Sequence, residues 1–254
     1  MQHVCYTHRM PRLHTHSQHF LRSPRLVAEL IGHTNIRKND TVYDLGAGSG
    51  VITSVLARRC KHVVAIENEP HALSLLRKNT HHLANVEIME HDILSAPLPT
   101  EAYKIFANIP FAISASIVQR YTQASIPPKA MYVIVQKQFA RKLLANHQSF
   151  TNQLGAKLAP YFSVRIRKPL QKTDFTPPPA VDTMLLEIRQ RTEPLLPETE
   201  RVSYDNFIEH CFENPTKFTA LKQQAAVRYI EKNASQLAGE EWVELYKHLS
   251  AKYE

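Results

Sequence analysis

TVYDLGAGSGVITSVL, residues 41–56, decides how the rest of the chain is read. TVYDL (41–45) has the composition of a short buried strand, and the residues from Val51 onward have helical spacing. Between them lie three of the six glycines in all 254 residues. Glycine lets a backbone turn sharply and approach a ligand closely, so half the supply sits in one strand-to-helix turn. Such turns fall at the carboxyl end of an open α/β sheet, where ligands bind. The dinucleotide fingerprint G-x-G-x-x-G fails in both registers, because it would need glycine at Val51 or at Thr53.

Outward from this turn, strand and helix patterns alternate. Strands are expected at HVVAIE (62–67), NVEIMEHD (85–92), YKIFANI (103–109), AMYVIVQ (130–136), YFSVRIRK (161–168) and TMLLEIRQ (183–190). Helices are expected at 51–60, 70–82, 113–122 and 137–146. This alternation predicts a doubly wound α/β fold with a mostly parallel sheet of seven strands. The last two strands have no helix between them and are expected to pair antiparallel. Beyond EPLLPETE (193–200) only helical segments follow, near 203–213, 218–233 and 240–250. The expected organisation is a basic mobile arm (1–20), a ligand-binding domain (21–191) and a small α-helical domain (192–254).

Three scattered cysteines without a CxxC pair argue for a reducing, cytoplasmic setting and against a disulfide framework or zinc site. The histidines of the arm, His14, His16 and His19, read as solvated residues, and no metal is expected. No segment approaches the apolar run of a membrane span, and a soluble monomer is expected. From Ala102 to Thr173 there are 72 residues with no Asp or Glu and eleven Lys and Arg. Unopposed cations attract phosphates and release counterions, so the expected partner is nucleic acid. Lys137, Arg141, Lys142, Arg165, Arg167 and Lys168 are the candidates for its backbone. Residues 191–254, with eight basic and eleven acidic side chains, are the weaker candidate.

The glycine turn, written Asp44-x-Gly46-x-Gly48-x-Gly50, with Glu67 ending the next strand, resembles the cofactor site of S-adenosylmethionine (AdoMet) methyltransferases. A carboxylate at Glu67 could accept from both ribose hydroxyls, and Asp92, at the end of the third strand, from the adenine amino group of the cofactor. The fourth strand runs into Asn108-Ile109-Pro110-Phe111. An exocyclic adenine amine is a poor nucleophile with two N–H donors. An Asn side-chain oxygen and a proline-fixed backbone carbonyl offer two acceptors, which would turn the nitrogen lone pair toward a methyl donor. Phe111 offers a face on which a flipped base could stack.

The ordered series QHFL (18–21), DLGAGSG (44–50), AIE (65–67), HDIL (91–94), NIPF (108–111) and FTPPPAVD (175–182) resembles the ribosomal RNA adenine-N6 methyltransferases. That superfamily includes the erythromycin-resistance (Erm) enzymes and the small-subunit dimethyladenosine enzymes. The resemblance implies a Rossmann-like class I AdoMet-dependent fold, AdoMet as cofactor and ribosomal RNA as partner. It implies cofactor contacts from His19, Leu21, Gly46, Gly48, Glu67, Asp92 and Asn108. The target amine would be held by Asn108 and the Ile109–Pro110 backbone, with Phe111 and Phe175 on either face of the base. His19 departs from the family, which usually has Asn there. Phe111 rather than Tyr, the single isoleucine of NIPF and MYVIVQKQFARK (131–142) resemble the Erm branch, which methylates large-subunit (23S) RNA and confers macrolide, lincosamide and streptogramin B resistance. Two other readings are a housekeeping enzyme acting on small-subunit (16S) RNA and a non-catalytic nucleic-acid binder on the same fold. DNA and protein-glutamine methyltransferases usually carry Asn-Pro-Pro-Tyr, and Ile109 counts against both.

Overall fold

A computed structural model describes residues 19–21, 23–148 and 150–250. The strands are β1 (Phe20–Leu21), β2 (Thr41–Leu45), β3 (His62–Glu67), β4 (Val86–Glu90), β5 (Lys104–Asn108), β6 (Ala130–Gln136), β7 (Phe162–Leu170), β8 (Phe175–Thr176) and β9 (Thr183–Gln190). Seven of them form one sheet in the order β4-β3-β2-β5-β6-β9-β7. All neighbours from β4 to β6 are parallel, and β9 runs antiparallel to both β6 and β7. β6 is buried from Ala130 to Val135, as an unbroken apolar run between two helical layers must be.

The helices are α1 (Pro24–Gly32), α2 (Val51–Leu56), α3 (Pro70–Thr80), α4 (Ser114–Thr122), α5 (Lys137–Leu143), α6 (Gln153–Leu158), α7 (Arg201–Glu213), α8 (Pro215–Ala225) and α9 (Gly239–Ser250). Starts follow local chemistry. Glu69 caps α3 by accepting from the His71 and Ala72 N–H groups, with Pro70 in the first turn. Ser23 and Pro24 do the same for α1. That helix and α6 were not expected. Four expected helices end short of their patterns: α2 stops at Leu56, α3 at Thr80, α5 at Leu143, and α8 at Ala225 before left-handed Ala226 (φ 54°).

The expected boundary near residue 192 falls between β9 and α7, but the helices beyond it share the sheet's core. Trp242 is fully buried, with the rings of Phe212 and Phe218 at 5.6 and 5.3 Å. Its cluster runs continuously through Ile208 and Leu158 to Val133 of the central strand. The Tyr204 hydroxyl donates to the Ala156 carbonyl at 3.2 Å, and the Gly239 N–H to that of Ala145 at 2.9 Å. Helical region and sheet therefore meet in one packed core. Residues 1–18 of the expected arm, His14 and His16 among them, lie outside the described residues.

Candidate active site

β2 and β5 are neighbours in the sheet, and β3 lies beyond β2 while β6 lies beyond β5. Chain order reverses direction between them, so the turns leaving their carboxyl ends flank a crevice. The first turn is the glycine turn. The Gly46 and Ala47 N–H groups donate to the Ile66 carbonyl at 2.9 and 3.0 Å, which folds the turn back over β3. Gly46 has φ 70°, and a Cβ there would meet Ile93 Cδ1 at 3.3 Å, so another residue would strain the backbone and crowd the crevice. Glu67 is 5% exposed, and its carboxylate accepts from the Gly48, Asn68 and Glu69 N–H groups at 2.8, 2.9 and 2.9 Å.

Asp44 lies beneath this turn, fully buried. One carboxylate oxygen accepts from the Thr53 hydroxyl at 2.7 Å, and the other has no partner among the described residues. Burial pushes its pKa up to about 7, against the Thr53 hydrogen bond and with help from the charge of Glu67.

The second turn carries Asn108 at the end of β5. Its side-chain amide donates to the His19 carbonyl at 2.5 Å, while its Oδ1 is buried and unpartnered among the described residues. The Pro110 carbonyl accepts from the Ile113 N–H and the Ser114 hydroxyl, both at 3.2 Å. Of the Ile109–Pro110 pair, Pro110's carbonyl is thus already engaged in its own turn. A cavity of about 90 Å³ lies between the two turns. It is lined by Gly46 and Glu67 on one side, Asn108 to Phe111 on the other, and His19 across the top.

Several expected residues are placed elsewhere. Phe175 is fully buried in β8, opposite Leu21 of β1, and packs into the core, with no exposed face to offer a base. Leu21 is buried in the same cluster, and the exposed neighbour Phe20 lines the cavity in its place. Phe20's ring lies on the Gly48 backbone, where a Cβ would come within 2.8 Å of it. Asp92 stands two residues past β4, at the crevice edge, accepting from the Leu94 N–H at 2.7 Å and the Asn68 amide at 3.4 Å. Asn68 and Ile93 line the cavity as well: Ile93 sits inside the HDIL stretch, and Asn68 directly follows AIE.

The basic candidates divide. Lys137 pairs with Asp182 at 3.1 Å, Arg167 with Glu187 at 3.6 Å, and Lys168 with Glu29. Arg141, Lys142 and Arg165 form no ion pair among the described residues. Arg141 and Lys142 stand on α5, directly after β6 and therefore at the crevice end of the sheet; Arg165 lies midway along edge strand β7.

A parallel sheet with one reversed strand next to its edge, and a crevice between these two turns, define a Rossmann-like AdoMet-dependent methyltransferase. The chain belongs to the ribosomal RNA adenine dimethylase family, whose description matches residues 13–249, and it is an AdoMet-dependent ribosomal RNA adenine-N6 methyltransferase. It is 31% identical to an rRNA adenine N-6-methyltransferase of Staphylococcus aureus over 193 residues, 76% of this chain and 77% of that one. A mitochondrial ribosomal RNA small subunit methyltransferase of Arabidopsis thaliana is 29% identical, covering 84% of this chain and 57% of its own. The crystal structure of the 23S rRNA methyltransferase ErmE superposes with a TM-score of 0.77 at 25% identity, covering 91% of this chain and 99% of that chain.

The residues present fit AdoMet. Gly46 leaves a cradle that a Cβ would fill, and the Glu67 carboxyl group stands beside it, held by three backbone N–H groups. When bound, the cofactor supplies an electrophilic sulfonium methyl. No helix among the described residues is long and apolar enough to cross a membrane.

Proposed function

We propose that the chain methylates N6 of an adenine in large-subunit (23S) ribosomal RNA, and that macrolide, lincosamide and streptogramin B resistance follows from obstruction of the drug site by the added methyl. The observation that carries the chemistry is the buried, unpartnered Oδ1 of Asn108 inside the crevice. An unpaired buried acceptor is costly unless a ligand satisfies it. One amine hydrogen goes to Asn108 Oδ1. With the Pro110 carbonyl engaged in its own turn, the other goes to Ile109's. The amine nitrogen, held by both hydrogens, then directs its lone pair out of the ring plane toward the cofactor side. Phe111 stacks on the base, and Glu67 and the Gly46 backbone hold the nucleoside part of the cofactor.

The large-subunit assignment is supported by the likeness to ErmE over nearly all of that chain and by the Phe111 spelling of the motif. The likeness to the small-subunit enzyme of Arabidopsis over 84% of this chain favours the second reading. Primer extension on ribosomal RNA from cells expressing the chain separates them, because a dimethylated adenine stops the polymerase. The expected result is a stop in large-subunit RNA and growth on erythromycin; a stop confined to small-subunit RNA would overturn the assignment.

A further inference from the structure

His19 is where this chain departs from its family, and the structure gives that residue three contacts. Its ring stacks on Phe111 with centroids 5.7 Å apart and planes inclined by 29°. Its Nδ1 lies 2.8 Å from the Pro177 carbonyl, 158 residues away in the loop after β8. Its own carbonyl accepts the Asn108 amide, which leaves Oδ1 as the end of that side chain without a partner.

The ring that the resemblance assigns to the far face of the base, Phe175, is committed to the core. His19 occupies the vacated role. It stacks on Phe111 in the cavity that Asn108 also lines, and its Nδ1 donates to the Pro177 carbonyl, which fixes the ring's orientation. Two rings sandwich a base when their planes are about 7 Å apart, twice the contact distance of roughly 3.5 Å. The observed centroids, 5.7 Å apart with the planes inclined, are closer than that sandwich, so a base enters between the rings only as residues 19–21 move outward.

We propose that His19 is a positioning residue for the substrate, the second stacking face of the adenine clamp, and not a cofactor contact. This rests on the reading of Asn108 and Phe111 as the site of the target adenine. In the free enzyme the imidazole covers Phe111; in the complex it covers the base. An Asn at this position can share the backbone hydrogen bond to Asn108 but cannot stack.

The test measures methyl transfer from AdoMet to deproteinised ribosomal RNA at varied RNA, and AdoMet binding alone by calorimetry, for His19→Ala, His19→Asn and His19→Phe. Alanine and asparagine are expected to lower kcat/KM for RNA about five- to a hundredfold, the span of one base–aromatic stack, with AdoMet affinity within twofold of wild type. Phenylalanine is expected to restore most of the loss. Weakened AdoMet binding in step with the loss of activity, or asparagine matching histidine for RNA, would overturn the proposal. Asn108→Ala in the same assay keeps the two ideas apart: if it transfers methyl normally, the placement of the target adenine itself fails, whatever His19 does.

Discussion

The two turns that make the crevice solve opposite problems. After β2, the glycine turn is held by its own neighbours: Glu67 accepts the Gly48 N–H together with those of Asn68 and Glu69, and Ile66 accepts two more. The Asp44 oxygen without a partner among the described residues lies beneath the turn, outside the crevice lining. After β5, the Asn-Ile-Pro-Phe turn leaves a buried amide oxygen with nothing to bind. A cofactor that stays in place through a reaction is suited by a rigid, internally bonded cradle. A reacting amine is suited by an acceptor that is unpaired until it arrives, because that contact then favours the reacting pose. The difference teaches which half binds and which half reacts.

Separating the halves by mutation sharpens this. Asn108→Ala is expected to slow single-turnover methyl transfer by about a hundred- to thousandfold, the effect of removing one aligned polar group at a reacting centre. AdoMet affinity should stay within about threefold. Glu67→Ala should do the reverse, weakening AdoMet about ten- to a hundredfold by loss of charge-assisted hydrogen bonds. It should also lower the melting temperature, since three N–H groups lose their partner. Equal effects of the two on AdoMet binding would erase the distinction.

Asp44 gives the cradle half a pH signature. Its folded pKa of about 7 lies above that of the unfolded chain. The folded state therefore holds a proton that the unfolded state has released, and this group costs stability progressively from about pH 4 to 7 and fully above that. Asp44→Asn is expected to be more stable than wild type near pH 8, by on the order of 2–4 kcal/mol, with the gain vanishing near pH 4. Denaturant titrations across that range check it; a gain independent of pH would contradict it. Smallest is the effect outside the crevice. Neutralising Arg141 and Lys142 should reduce the salt slope of RNA binding by about 1.5, two phosphate contacts at roughly 0.7–0.9 each. Adding Lys168 to the pair should change the slope little, because Glu29 already neutralises it.

Much of this was legible in the residues. Strands 41–45, 62–67, 130–136 and 183–190 have the bounds their patterns predict, because buried strands flanked by turn residues leave little freedom. α1 carried a readable start in Ser23-Pro24, but its apolar stripe follows a basic, unpatterned stretch. Leu21 and Phe20 exchanged roles because neighbouring strand residues face opposite ways, and parity is set by pairing with β8, a contact spanning about 155 residues. Phe175 fails for the same reason: a motif specifies a ring, not the side on which it lies. The acid-free stretch misled differently. Glu29, Asp40, Asp182, Glu187 and Glu209 all lie outside it in sequence yet pair with its cations in space.

The most direct test of the central claim uses purified enzyme, labelled AdoMet and each naked ribosomal RNA, followed by digestion to nucleosides. The account predicts label in N6-methylated adenosine from large-subunit RNA. Label in any other nucleoside, or only in small-subunit RNA, would contradict it.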